Sequence, residues 1–478
     1  MADDYFRARL DQMIDLQHPL ALLAKRLPWD AIEARITPLL SRKNRPGYPQ
    51  HLLDLFGSHQ QLVAAGASAA GRKRLPVRLM VSLLYLKHTY NESDEGLCQR
   101  WSQDVYFQFF SGLEYFEPRP PCDPTQIGRF RQLLGEEGVE ELLSQTIQTA
   151  FKEQLVDASD LENVIIDSTV QIKATAHPTD SRLLNIARYK LVKAAKECGL
   201  FFKQTYVKEA KNLNRRAGGY AHAKQFRRLK KVIKRQRTIL GILLRETGRQ
   251  LATVSEQAQL KLKEIMGLVT QLKNQKRNDK NKIYSLHAPE VECIGKGKSG
   301  KPYEFGVKTS IVVSHQKSLI LGTRTFPSNP YDGHTLNEQL EQSTILMQEM
   351  NIAIKKVYGD LAYRIKKADE HLIPKGVELI HRGIKDMTAP VKKALKRRQS
   401  IEPVIGHVKQ DHGMNRNYLK GAIGDAIHAV LCSCGYNIKW LLRRIGTKGL
   451  RGLFFSLFNE CYRWQISGIF KKQILATQ

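Results

Sequence analysis

Three carboxylates in this chain have positions that phosphate chemistry could use. Asp167 closes a short apolar run, Val164-Ile165-Ile166, and Asp360 closes another that ends in Tyr358-Gly359. A side chain just past such a strand emerges at the strand's C-terminal edge, where sheets flanked by helices bind their ligands. Glu402 comes later, in a helical stretch. Arg398, Glu402 and Lys409 are spaced i, i+4 and i+11, so at about 100° per residue they share one helical face.

Phosphodiester cleavage at neutral pH needs a nucleophilic oxygen and relief of charge at phosphorus. Two Mg2+ ions about 4 Å apart supply both, with Mn2+ as an alternative. Hard cations take oxygen ligands, so Asp167, Asp360 and Glu402 form the expected cage. Arg398 would grip a phosphate with its fork and Lys409 as a point charge. Each residue also has a plainer meaning. A carboxylate at a strand end is commonly a solvated side chain or a helix cap. Arg398 and Glu402 would equally suit a helix-face ion pair worth under about 1 kcal/mol.

The elements that must position these residues can be read from periodicity. Residues 1–155 read as helical: Leu79, Met80, Leu83, Leu84 and Leu86 recur at helical spacing, as do Ile127, Phe130, Leu133 and Leu134 after an Asp123-Pro124-Thr125 start signal. A strand is expected over 163–167. Alternation at Phe305, Val307, Thr309, Ile311 and Val313, a turn at 314–317 and a run over 318–326 predict a hairpin. A helix over 335–350, strands near 356–359 and 377–381, and helices from 394 onward complete an α/β pattern. Ala217-Gly218-Gly219-Tyr220 is expected to break a helix.

With 478 residues and 42% hydrophobic content, the chain can build packed cores over two to four domains. Its 76 Lys and Arg against 46 Asp and Glu leave a formal charge of +30. Such an excess calls for a polyanion, and nucleic acid is the usual one. Residues 182–282 hold 27 Lys or Arg against 6 Asp or Glu, on an amphipathic helical pattern. Arg227, Arg228, Lys231 and Lys234 in this block are candidate DNA contacts, as are Lys308 on the hairpin and His407 beside Lys409. The acidic start carries no signal peptide, and no run of about 18 apolar residues predicts a membrane span. The expected location is therefore the cytoplasm, associated with the nucleoid. The seven scattered cysteines form no C-x-x-C pair and read as buried thiols, with neither a disulfide framework nor a structural zinc site expected.

The text around the three carboxylates resembles the DDE transposases of bacterial insertion sequences. Ile166-Asp167-Ser168-Thr169, Tyr358-Gly359-Asp360-Leu361-Ala362-Tyr363 and Arg398-Gln399-Ser400-Ile401-Glu402-Pro403 with Lys409 occur in order. The last is similar to the family's R-x3-E-x6-K block. Asn329 to His334 and Leu83 to His88 are similar to family text as well. The resemblance implies a ribonuclease H-like mixed sheet with flanking helices over 156–181 and 283–445. Charge and helical periodicity mark 182–282 as a basic helical insertion, with a helical DNA-binding region expected at 1–155 and a helical tail at 446–478. Asp167, Asp360 and Glu402 match the catalytic, metal-holding triad, and Arg398 and Lys409 match its basic companions. The implied activity is cleavage of insertion-sequence ends and strand transfer to target DNA, by an endonuclease and strand transferase working as a homodimer or higher oligomer. A non-catalytic, transposase-derived DNA-binding protein is the alternative. The family's Tyr three residues before the Arg is replaced by Leu395, and residues 50–73 look like an insertion.

Smaller features have bland readings. His407 and Asp411 lie one helical turn apart, and hydrogen bonding suits them and His412 better than metal ligation. His334 fits a helix-start contact, and Trp440 and Trp464 fit a core or dimer contact. Lys296 to Lys301 lacks phosphate-loop spacing and reads as a basic turn. Residues 126–134 are the candidate recognition helix for terminal repeats.

Overall fold

The computed structural model describes residues 9–40, 74–276, 278–295, 300, 302–364, 373–384 and 387–446, with the backbone of 52–53 and 59–60. The basic turn at 296–301, apart from Gly300, lies outside the described residues, as do Trp464, most of 50–73 and all but the first residue of the expected tail. A two-residue pair, β1 (Leu52–Leu53) with β2 (His59–Gln60), precedes the main sheet.

Six strands form that sheet: β3 (Asn163–Ile172), β4 (Glu292–Gly295), β5 (Tyr303–Ser314), β6 (Ile320–Phe326), β7 (Lys356–Tyr358) and β8 (Glu378–Ile380). Their order is β4-β5-β3-β7-β8, and β6 also pairs with β5. β5 is long enough to carry both neighbours on one edge, β4 against its first half and β6 against its second. β3 runs antiparallel to β5 but parallel to β7, and β7 is parallel to β8, so the sheet is mixed. Val164, Ile165 and Ile166 are buried without alternation, as expected of a strand covered on both faces.

Helices surround this sheet. Those of the N-terminal region include Pro19–Arg26, Trp29–Leu39, Val77–Tyr90, Asp94–Trp101 and Pro124–Lys152. The last starts where Asp123 accepts from the Thr125 amide and kinks at Gly135, whose φ of 64° suits glycine. Ile127, Phe130 and Leu134 from this helix join Val164, Ile311 and Val357 from the sheet in one hydrophobic cluster. Residue 155 therefore marks a change of element type within a continuous core.

Between β3 and β4 stand four helices, Asp180–Glu197, Val207–His222, Phe226–Gln250 and Glu256–Asn274. Leu184, Leu191, Leu213, Leu240, Leu243 and Val269 give them a separate hydrophobic cluster. The expected break at 217–220 does not occur. Ala210, Leu213 and Ala217 are buried along one face of Val207–His222, and that burial outweighs about 1 kcal/mol of helix propensity lost per glycine. The chain instead turns at Lys224, with φ 53°.

Candidate active site

Asp167 is not at the end of its strand. β3 continues to Ile172 because β5 pairs with it throughout, from Val164 opposite Ser314 to Ile172 opposite Gly306. β7 pairs only with Asn163, Val164 and Ile165. The expectation of a strand-end carboxylate thus holds for one neighbour: where β7 stops, the β3 edge opens and Asp167 faces the gap. Ile165 lies opposite Tyr358, so Asp167 and Asp360 are each two residues beyond the last aligned pair. Parallel register with a two-residue side-chain period puts them level, side by side.

Asp360 leaves the strand and caps the short 3-10 helix Leu361–Tyr363, its Oδ1 accepting from the Leu361 amide at 2.8 Å. Asp167 Oδ1 accepts from the Ser168 amide at 2.8 Å. Its Oδ2 accepts from Arg398 Nη1 at 3.3 Å, while Arg398 Nη2 lies 3.9 Å from Asp360 Oδ1. The buried guanidinium therefore sits between the two aspartates. Burial pushes the Asp167 carboxyl up to about 6; the Ser168 amide and Arg398 pull it down, and Asp360 and Asp332 push it further up.

Two neighbouring elements place Arg398. Arg397 donates outward to the carbonyls of His315 and Gln316 at 2.8 and 2.5 Å, and His315 Nε2 donates to the Ala394 carbonyl at 2.8 Å. The 3-10 turn Arg397–Ser400 is thereby tied to the β5–β6 turn, and Arg398 projects inward. Leu395 is buried in the core, so the residue at the family's tyrosine position serves packing.

Glu402 lies in the first turn of Ile401–Gln410, the helix that packs Ile401, Val404 and Val408 against the core beside β3. It is exposed, and among the described residues it forms no ion pair. Arg398 reaches the aspartates and Glu402 faces solvent, so the two do not form a helix-face pair. Lys409, in the last turn, is 3.6 Å from Glu304 of β5. His407 Nδ1 is 2.7 Å from Asp411 Oδ2, the contact expected from their spacing.

Lys308, expected as a DNA contact, is largely buried and engaged within the protein. Its ammonium donates to Asp332 at 2.9 Å and to the Pro330 carbonyl at 2.5 Å, holding the start of helix Asp332–Leu346 beside the site. Asp332, within the family-like stretch Asn329 to His334, lies near enough to Asp167 to help raise its carboxyl, which the sequence pattern does not signal. His334 lies at that helix start, its ring edge-on to Tyr331 at 5.6 Å. Arg227, Arg228, Lys231 and Lys234 are all exposed on Phe226–Gln250, on the separately cored helices and away from the aspartates. In the expected recognition helix, Ile127, Phe130, Arg131 and Leu134 are buried, and Arg131 binds Asp94 at 2.9 Å.

The donor set suits a hard divalent cation. Two carboxylates converge on one position that a guanidinium holds, and the partly desolvated Asp167 lacks a full counter-charge there. Comparison with known proteins accords with this chemistry. Residues 280–438 match the family described as Transposase DDE domain, and residues 50–133 match Transposase domain (DUF772). ORF8 in the nfe locus of Rhizobium meliloti, named as an uncharacterized protein, is 37% identical over 224 residues, covering 47% of this chain and 95% of its own length. The chain belongs to the insertion-sequence DDE transposases.

The DDE match takes in Asp360 and Glu402 of this transposase but begins after Asp167. Residues 134–279, with the basic helices, fall in neither matched region. The first match starts at residue 50 and so includes the stretch expected as an insertion. Family membership implies DNA as partner, a divalent metal requirement and a ribonuclease H-like fold for the mixed α/β core. No solved structure matches the chain. Among the described residues, no helix is long and apolar enough to cross a membrane.

Proposed function

We propose that this transposase cleaves the ends of its insertion sequence and joins them to target DNA, using Asp167, Asp360 and Glu402 to hold two Mg2+ ions, with Mn2+ able to replace them. The observation that carries this reading is the convergence of Asp167 and Asp360 on the Arg398 guanidinium. When bound, the ions would activate the attacking oxygen and neutralise the leaving one. The protein's own part is to orient. Ser168 occupies Oδ1 of Asp167 and leaves Oδ2 for the cation. Lys308 holds Asp332 nearby, and Glu402 completes the cage from the helix behind. Arg398, released from the aspartates, turns its fork to the scissile phosphate.

The ribonuclease H-like core would comprise 156–181 and 283–445, with 182–282 as a basic insertion lining the DNA path through Arg227, Arg228, Lys231 and Lys234. The region 1–155 would contribute to recognition of the terminal inverted repeats, and 446–478 would form the tail. Two element ends must be held together, so the working form would be a homodimer or larger oligomer, acting on cytoplasmic, nucleoid-associated DNA.

The test incubates purified protein with Mg2+ and labelled DNA bearing its own element ends, beside a Glu402→Gln variant. Wild type should nick the ends and join them to target, while the variant binds without cutting. Equal binding with no cutting by either, in Mg2+ or Mn2+, would identify a non-catalytic DNA-binding descendant. Cutting without joined products would identify a plain nuclease.

A further inference from the structure

A second cluster of ligand-bearing side chains lies apart from the carboxylates. His88 comes from helix Val77–Tyr90, and His428 and Cys432 come from one turn of the helix over 421–446. One ligand atom from each can be chosen so that all lie within 4.8 Å of one another. Cys432 Sγ is 3.6 Å from His88 Nδ1 and 3.9 Å from His428 Nδ1. In a tetrahedral zinc site, bonds of about 2.3 Å to sulfur and 2.0 to 2.1 Å to nitrogen put these atoms about 3.5 Å apart. The sulfur–nitrogen contacts come within a few tenths of an ångström of that spacing, and the full set, spread over as much as 4.8 Å, would draw together on binding.

The hydrogen bonding fits the same role. His428 Nε2 donates to the Gly413 carbonyl at 3.2 Å, which leaves Nδ1 as the lone-pair nitrogen, and Cys432 Sγ lies 3.9 Å from Nδ1 and 3.8 Å from Nε2. A ligating histidine is typically oriented by such a second hydrogen bond to a carbonyl. His88 is buried, and its Nε2 has no hydrogen-bond partner. Its Nδ1 lies a long 3.5 Å from the His412 carbonyl. A buried ring nitrogen without a partner is costly unless something else engages it, so Nε2 is the His88 atom with most to gain from a cation, Nδ1 keeping its contact with the His412 carbonyl. Gly435 brings the two helices together, since a Cβ there would lie 2.5 Å from the His88 backbone.

We propose that His88, His428 and Cys432 form a binding site for a divalent transition metal of the zinc class, clamping helix Val77–Tyr90 to the helix over 421–446. Two imidazoles and a thiolate select such a metal over Mg2+, which takes oxygen. Binding replaces the S–H bond of Cys432 by a metal–sulfur bond and releases the proton to solvent. His88 and His428 also line a cavity of about 610 Å3, from which water could complete the shell. None of the three carboxylates takes part, so this site stands or falls independently of strand cleavage.

The full chain, stripped of metal and titrated with Zn2+ and separately with Co2+, provides the test. Wild type should retain about one equivalent of Zn2+ through desalting, and Co2+ should give the near-ultraviolet charge-transfer band of a thiolate ligand. Cys432→Ser should abolish that band, while Cys434→Ser and Cys122→Ser keep it. If Cys432→Ser fails to fold, His428→Gln supplies the assignment, because it keeps the thiol and should weaken binding roughly tenfold or more. Folded wild type without a thiolate band, or a band that survives loss of Cys432 or is indifferent to loss of His428, would overturn the proposal.

Discussion

Arg398 Nη1 donates to Asp167 Oδ2 at 3.3 Å, and the same guanidinium reaches Asp360 at 3.9 Å. A side chain that binds both proposed metal ligands competes with the metal they would hold. Arg398→Ala should therefore bind Mn2+ several-fold more tightly than wild type when DNA is absent, as followed by titration calorimetry. With DNA present, the variant should join strands more slowly, having lost a phosphate contact. Unchanged or weaker Mn2+ binding by Arg398→Ala would mean that the guanidinium does not guard the cage.

The raised Asp167 carboxyl yields a pH prediction. Its folded value, about 6, exceeds the unfolded value, so its stabilising contribution is complete below about pH 4 and is lost as pH rises through 6. In metal-free protein, Asp167→Asn should accordingly be more stable than wild type at pH 8, by up to about 3 kcal/mol, and the difference should vanish near pH 4. Thermal melts of both proteins in chelator across this range measure it. A constant difference at every pH would show that Asp167 ionisation is not the cause.

Beyond Asp167, β3 ends in a buried ion pair. Lys173 lies 2.7 Å from Asp425 and 2.8 Å from Glu290, and the Asn417 side chain also donates to Asp425. Lys173→Met would leave Asp425 buried without its cation and should cost about 3 kcal/mol. Urea unfolding of the two proteins gives the value, and a loss below about 1 kcal/mol would mark the network as solvated.

Packing at Gly435 makes a separate prediction. The methyl of Gly435→Ala would meet the His88 backbone, and moving a helix to admit it should cost about 1 to 3 kcal/mol. Urea unfolding in chelator measures this cost without any contribution from a bound metal. A neutral substitution would show that the two helices are not in close contact.

The basic helices should control affinity more than chemistry. Replacing Arg227, Arg228, Lys231 and Lys234 together by Ala should weaken DNA binding. It should also reduce the salt slope of log K by about 0.9 for each lost phosphate contact. Cleavage by fully bound enzyme should be unchanged. An unaltered slope would place the DNA path elsewhere.

Much of the catalytic architecture was legible because it depends on local pattern. Alternation identified the β5–β6 hairpin, an apolar run marked β3, and the three carboxylates carried family text with them. Asp167 inside its strand was not legible, because strand ends depend on which neighbour pairs, and β5 outlasts β7 along β3. Asp332 was overlooked because its importance comes from the Lys308 contact across the sheet. The His88 and Cys432 pairing joins residues 344 positions apart, with no spacing motif to betray it. Likewise, the core shared by the N-terminal helices and the sheet is a tertiary fact that composition conceals.

The register that sets Asp167 level with Asp360 also governs when the proposed site can first form. Arg398 and Asp167 are 231 residues apart, and the basic helices precede β7 in the chain. Closure over such a distance is entropically expensive and belongs to the slow part of folding. During synthesis, the proposed metal cage cannot be completed until the segment carrying Glu402 has emerged from the ribosome. With the basic helices binding DNA as proposed, a polypeptide stopped before that point would carry them without the proposed cage and would compete with the finished protein for DNA.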